Sequence, residues 1–200
     1  VNKLREKSTQ DHKTIFKLQV INTILKISLE PKLLRERLAN ILFYLTSLKE
    51  LNLIPKAALF LVEQDTKQLI LNTQQGFDGK DKEVCAKVPF GQCHCGRAAL
   101  TNKTQYVSPE DVALAGIDRA KHDHGHYCVP ISSHGLVTGV ICLHISPDHQ
   151  RSRWIDEVLI AVSQVIAGII DHQKMDLQLI SLVNDLRASI IALSEEKNFS

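Results

Sequence analysis

Two hundred residues at 22.4 kDa suffice for one domain with a real core, or for one domain carrying long helical extensions, and are too few for most multidomain enzymes. With 44% hydrophobic and 23% charged residues, and only 9 Gly and 6 Pro, the composition excludes a disordered or fibrous chain. Lys and Arg exceed Asp and Glu by 24 − 22 = 2, and no basic cluster is interleaved with aromatics, which argues against nucleic acid as a partner.

From about Thr14 to Leu29, the residues Leu18, Ile21 and Leu25, with Phe16, Val20, Ile24 and Ile27 beside them, recur at helical spacing and stop before Pro31. A second helix is expected from Pro31, in its first turn, to Leu48, with Leu34, Leu38, Ile41, Leu42 and Leu45 on one side. Two apolar runs flanking Gln64-Asp65-Thr66 read as a hairpin whose first strand is apolar enough to be central. A short helix around Asp81 to Ala86 leads into VPFGQCHCG, where Pro89 and Gly91 predict an irregular loop, and RAALTN resumes a helical turn. TQYV is a strand, SPEDVALAGIDRAKHD a polar connection, and GHYCVPIS with LVTGVICLHI an antiparallel pair turning at Ser133-His134-Gly135. The sum is α+β: an antiparallel sheet of about six strands, with helices on its faces and long helices at both ends.

At the C-terminus Val158, Ala161, Val165, Gly168, His172, Met175, Leu179, Leu182, Leu186, Ser189 and Leu193 follow alternating three- and four-residue steps, a heptad seam. A helix of about 40 residues reaches about 60 Å, beyond what a domain of this size covers. A partner helix is therefore expected, and an identical chain is the simplest partner. No apolar run approaches the ~18–20 residues of a membrane span, and the polar N-terminus is no secretory signal, so the chain reads as cytoplasmic. It opens with Val1 rather than Met, as a piece of a longer protein would.

The five cysteines suit metal ligation or redox chemistry better than a disulfide framework in a reducing compartment. In a locally extended segment Cys93 and Cys95 would point to one side, and along a strand His124, His126 and Cys128 would share a face. Two separated segments thus offer soft sulfur and imidazole donors, the set that zinc or iron favours, with iron mononuclear or in an iron–sulfur cluster. Cys85 is a further ligand candidate. Redox thiols and plain packing are the competing readings. Cys142, in an apolar strand, reads as packing, and His12, His144, His149 and His172 as ordinary; His122 and His134 do not fit the alternation. Gly91 and Gly96 bracket the cysteines, and their freedom at positive φ would let backbone N–H groups point at sulfur or ligand. No phosphate-binding Gly-Lys-Ser/Thr loop, Gly-x-Gly-x-x-Gly, Gly-x-Ser-x-Gly, His-Glu-x-x-His or facing pair of carboxylates occurs.

The segments VPFGQCHCGRAALTNKTQYV and HGHYCVPISSHGLVTGVICLHI resemble a GAF domain, with Gly91, Gly96, Pro130 and Gly139 at recurring positions, over roughly Leu29 to Gln173. Within that superfamily the chain is most similar to a bacterial signalling subgroup carrying Cys-x-Cys-Gly-Arg-Ala-Ala and His-Gly-His-Tyr, here Cys93 to Ala99 and His124 to Tyr127. The resemblance implies a six-stranded sheet with a ligand pocket on one face, and a homodimer through its terminal helices. It also implies an output domain, fused or associated, such as the histidine kinase of a two-component system or a diguanylate cyclase. Residues 1–30 would then be an N-terminal signalling and dimerisation helix, 31–152 the sensory domain and 153–200 a coiled-coil linker. Tyr127 joins Gly91 and Gly96 as a candidate cofactor contact.

Haem is a further cofactor that pockets of this kind hold. Bilin is disfavoured because no cysteine lies between Val112 and Lys121, and cyclic nucleotide because the Asn-Lys-x-x-x-Phe-x-x-x-Asp-Glu signature is missing. The alternative is an enzyme similar to the free methionine sulfoxide reductases, whose Cys-x-x-Ile-x-x-Gly-x-Gly-x-Cys-Gly pattern resembles Cys85 to Gly96. The third, catalytic cysteine expected near Ile117 to Ala120 is missing, and Cys142 and His144 stand where the resemblance implies carboxylates that hold the substrate amine. A GAF module with structural cysteines and a small organic ligand is a further alternative. The favoured reading is a sensor rather than an enzyme.

Overall fold

The computed structural model describes residues 2–108 and 125–198. In chain order these form α1 (Asn2–Ser28), α2 (Leu34–Ser47), a 3-10 turn (Lys49–Leu51), β1 (Leu53–Glu63), β2 (Gln68–Gln75), α3 (Gly79–Val84) and β3 (Lys87–Pro89). They continue with α4 (Cys93–Thr101), β4 (Gln105–Val107), β5 (His126–Ser133), β6 (Leu136–Ile145) and α5 (Arg153–Asn198). The six strands make one antiparallel sheet in the order β3-β2-β1-β6-β5-β4, so the apolar β1 and β6 lie at its centre.

Both faces of that sheet are covered, which is why Ala57–Phe60 and His126–Ile131 are buried without interruption rather than at every second residue. On one face Leu59, Tyr127, Val129, Ile141 and Leu143 meet α1, α2 and α5 through Ile24, Leu38, Leu42, Val158, Val162 and Ile166. Each such aliphatic side chain contributes roughly 1.5–3 kcal/mol by leaving water. On the other face Ala58, Phe60, Cys128, Val140 and Cys142 pack beneath Cys95, Ala98 and Ala99 of α4. This second, smaller core is where the sulfur lies.

The β5–β6 hairpin turns on His134 and Gly135, whose φ values of 51° and 81° are those of a type I′ turn. Just beyond it the register shifts by one: Ser132 pairs with Val137 but Ile131 pairs with Gly139. Thr138 is the extra residue, and its hydroxyl donates to the Ile131 carbonyl at 3.3 Å. This bulge sets Cys128 opposite Cys142 and His126 opposite His144.

Four boundaries differ from the sequence expectation. Helix α1 begins at Asn2 rather than near Thr14, because extending a helix already held by Val20 and Ile24 costs little. Helix α2 begins at Leu34, with Pro31 in the preceding turn, since the Leu33 N–H donates to the Glu36 carboxylate at 3.0 Å and so closes the first helical turn there. The expected loop at 88–90 contains the edge strand β3, where Pro89 is the last residue and its missing N–H is tolerated. Helix α4 starts at Cys93 instead of beyond Gly96, because Cys95, Gly96, Ala98 and Ala99 form its buried face. The polar connection expected after β4 falls largely on 109–124, outside the described residues.

Helix α5 contributes Ile155, Val158, Leu159, Val162, Ile166, Ile169 and Ile170 to the core, and its buried apolar packing stops there, with one further tie where Arg37 donates to the Gln173 side chain at 2.8 Å. Farther on, the seam residues Met175, Leu179, Leu182 and Leu186 are 67, 61, 56 and 55% exposed, with Ile180, Val183 and Ile190 beside them also bare. Helix α1 exposes Ile15, Leu18, Leu25 and Leu29 along one stripe, with steps of three, seven and four residues. Among the described residues no helix is long and apolar enough to cross a membrane.

Candidate metal centre

The first turn of α4 is fixed by its glycines. Gly91, at φ +84°, donates its N–H to the Gly96 carbonyl at 2.8 Å, and a Cβ on Gly96 would lie 2.3 Å from the Pro89 carbonyl oxygen. That contact admits only hydrogen. Gly96→Ala is expected to destabilise the fold by about 1–3 kcal/mol, because the Pro89–Gly91 backbone must move away from α4. Chemical denaturation checks this, with Gly79→Ala, whose Cβ meets nothing within 4 Å, as the control.

Cys93 does not lie in the extended segment expected: it opens α4 in the left-handed region, with a φ of 44°, and from there its sulfur still meets that of Cys95. Cys95 is buried over the sheet and Cys93 is exposed. Cys93 is brought down to about 6, first by the hydrogen bond from the Cys95 thiol, against an opposing effect of burial that comes next in size, with the N–H groups of Gly96 and Cys95 adding to the lowering. Cys85, half-buried beside the same core, is pushed up to about 11, chiefly by burial and then by the negative charge of the Cys142 and Cys93 thiolates and of Asp81. In metal-free protein the alkylation rate of Cys93 by iodoacetamide should therefore rise with a midpoint near pH 6, while Cys85 stays inert at neutral pH. Peptide mass mapping across pH 5–9 measures both.

Three sulfurs meet beneath α4. Cys95 Sγ lies 3.3 Å from Cys128 Sγ, and Cys128 Sγ lies 4.0 Å from Cys142 Sγ. All three atoms are within 4.8 Å of one another, and all three residues are buried. The Cys95 thiol is raised by its hydrogen bonds to Cys128, Cys142 and Cys93 and by burial, and Cys128 is raised first by burial. Cys142 is held low, because it accepts from Cys128 and Cys95 and faces His144.

Imidazoles line the same face. The His126 ring sits between those of His94, at 5.0 Å, and His144, at 5.6 Å, and Phe77 meets His144 edge-on at 6.0 Å. His144 hydrogen-bonds the Cys142 sulfur, and Arg97 hydrogen-bonds the His94 ring.

Of the residues expected from the sequence, the fold brings Cys95 and Cys128 into sulfur contact and places His126 on the same face. Cys93 adjoins Cys95 but stays outside the three-sulfur group, and Cys85 packs at its margin. His124 lies outside the described residues. Gly96 directs its N–H at the Cys93 sulfur, whereas Gly91 serves the loop. Tyr127 is buried on the opposite face among the residues that meet α5, because successive strand residues alternate sides. Two residues read as ordinary belong to the cluster: Cys142 completes the sulfur triangle and His144 stands beside it.

The donor set fits a thiophilic ion. Tetrahedral zinc, with Zn–S of about 2.3 Å, spaces its sulfurs about 3.8 Å apart, a value bracketed by the separations found here. Iron accepts the same ligands.

No protein-family model and no curated protein matches the chain. Solved structures do, and their fold is that of GAF domains. The GAF domain of a phosphoenolpyruvate-protein phosphotransferase from Coxiella burnetii superposes with a TM-score of 0.67 at 16% identity, covering 80% of this chain and 95% of that one. The A. aeolicus NLH2 GAF domain in an inactive state gives 0.61 at 16%, covering 80% and 99%. Free methionine-R-sulfoxide reductase from Neisseria meningitidis, in complex with its substrate, gives 0.62 at 19%, covering 80% and 91%. GAF domains and sulfoxide reductases thus share this architecture, and the choice between sensor and enzyme rests on this chain's own side chains.

Proposed function

We propose that the chain is a GAF sensory module of a bacterial signalling protein, in which a thiophilic metal ion, zinc or iron, binds Cys95, Cys128 and Cys142. The convergence of three buried sulfurs from α4, β5 and β6 carries this reading. Bound there, the ion would neutralise the cluster's negative charge and tie the three elements together. His144, adjoining Cys142, is the fourth donor.

The output path follows from the pleat of β5. Cys128 faces the sulfur cluster, while its neighbours Tyr127 and Val129 face α5, so a shift of the strand at Cys128 bears on the helix through the opposite face. Helix α5 and the exposed stripe of α1 would pair with their counterparts in a second copy, and the dimer would pass the shift to an output domain, fused or associated. The test is metal content by mass spectrometry on untagged protein prepared without oxygen. One equivalent of zinc or iron is expected, and metal-free protein that takes up neither on titration would sink the reading.

The enzyme reading draws on the likeness to sulfoxide reductases and on Cys85 and Cys95, which fit their cysteine pattern. The sheet face beneath α4 opposes it: among the described residues, β5 and β6 present His126, Cys128, Cys142 and His144 there and no carboxylate that could hold a substrate amine. Free methionine-R-sulfoxide supplied with thioredoxin is expected to turn over no faster with the protein than without it.

A further inference from the structure

We propose that Cys93 is a modification site: its exposed sulfur takes up a low-molecular-weight disulfide, and the oxidation is passed inward through Cys95 to end as a Cys95–Cys128 disulfide. Three placements carry this. Cys93 is the one exposed thiol of the five, whereas Cys95, Cys128 and Cys142 are at most 8% exposed, so a reagent in solvent meets Cys93 first. The Cys95 sulfur hydrogen-bonds that of Cys93 and also lies 3.3 Å from that of Cys128, so it adjoins both the outer and the inner thiol. An S–S bond is about 2.0 Å long, so closing Cys95 onto Cys128 requires an approach of little more than 1 Å.

The exchange balances in three displacements. The Cys93 thiolate attacks one sulfur of the disulfide RSSR, forming Cys93–S–SR and releasing RS⁻. Cys95 then attacks the Cys93 sulfur, expelling the second RS⁻, which leaves with the Cys95 proton. Cys128 finally attacks the Cys95 sulfur, Cys93 departs as the thiolate it began as, and the Cys128 proton goes to the RS⁻ released in the first displacement. In sum RSSR is reduced to two RSH, Cys95 and Cys128 are oxidised to one disulfide, and Cys93 is regenerated.

The exchange needs only the thiols. Its consequence, that oxidation closes the metal centre by consuming two of its three sulfurs, rests on the metal reading above.

Oxidised glutathione is the probe, added to the reduced, chelator-treated full chain and followed by intact mass and peptide mapping. The wild type should lose two thiols, with the bond mapped to Cys95–Cys128. Cys93→Ser should slow this by at least ~10-fold. Cys128→Ser should stop with glutathione held on Cys93 or with a Cys93–Cys95 bond. Cys93→Ser protein oxidising at the wild-type rate overturns the proposal, as does a wild-type bond mapped to Cys85–Cys95, Cys128–Cys142 or any other pair. Zinc titration of the reduced protein judges the metal reading separately: if zinc does not bind, that reading fails and the disulfide map still decides the exchange.

Discussion

With Cys128 replaced by serine, the protein is expected to lose tight zinc binding, with affinity falling by at least ~100-fold in competition against a chromophoric chelator. Cys128 is the sulfur measured against both of the others, at 3.3 and 4.0 Å, so its loss leaves two sulfurs and His144, one ligand short of a closed tetrahedral site. A serine hydroxyl is a hard donor and stays protonated at neutral pH, so it supplies neither the charge nor the softness of a thiolate. Cys93→Ser leaves the three-sulfur set intact and should change the affinity by less than ~10-fold. Because a bound ion stabilises only the folded state, zinc should raise the melting temperature of the wild type and leave that of Cys128→Ser unmoved. The serine variant should also be less stable without metal, by about 1–3 kcal/mol, for burying a hydroxyl in an apolar site. Cys128→Ala separates the two effects, since it loses the metal without burying a polar group. Equal zinc affinity in Cys128→Ser and wild type would remove the sulfur cluster from the function.

The second large effect is expected at the far end of α5. Leu179→Asp combined with Leu186→Asp should turn a dimer into a monomer, raising the dissociation constant by more than ~1,000-fold. Both leucines lie more than half exposed beyond Ile170, the last residue that α5 buries on its own domain, so the substitutions touch nothing within one chain. In a paired helix the same two residues sit on the seam, and a dimer would bury four carboxylates there. Asn184→Asp, on the outer side of the helix, should leave the association state alone. Sedimentation equilibrium distinguishes the outcomes, and a wild-type protein that sediments as a monomer at tens of micromolar contradicts the dimer.

The architecture was legible because its signals are periodic. The apolar run of β1, the two-residue turn at His134 and Gly135, and the three- and four-residue steps of α5 each have one natural reading. One of the three sulfurs, with the imidazole beside it, was legible for the same reason, since alternation along β5 puts Cys128 and His126 on one face. Cys142 was not. A two-residue hairpin without a bulge would set Cys128 opposite Ile141 and turn Cys142 to the other side of the sheet. The added Thr138 reverses this, and nothing in the local sequence marks a bulge there. Cys95 was rightly expected to meet Cys128, but the backbone of Cys93 and Cys95 was misread by a related ambiguity: Gln-Cys-His-Cys-Gly is as compatible with an extended segment as with the start of a helix. Packing of Ala98 and Ala99 over β5 and β6 decided it. In both cases the deciding contact is remote in sequence.

X-ray absorption on protein loaded with one equivalent of zinc reads the first coordination shell itself. Three sulfur neighbours at about 2.3 Å with one nitrogen at about 2.0 Å is the predicted shell. A shell of oxygen and nitrogen alone would mean that the three buried thiols are packing and that the stimulus of this domain lies elsewhere.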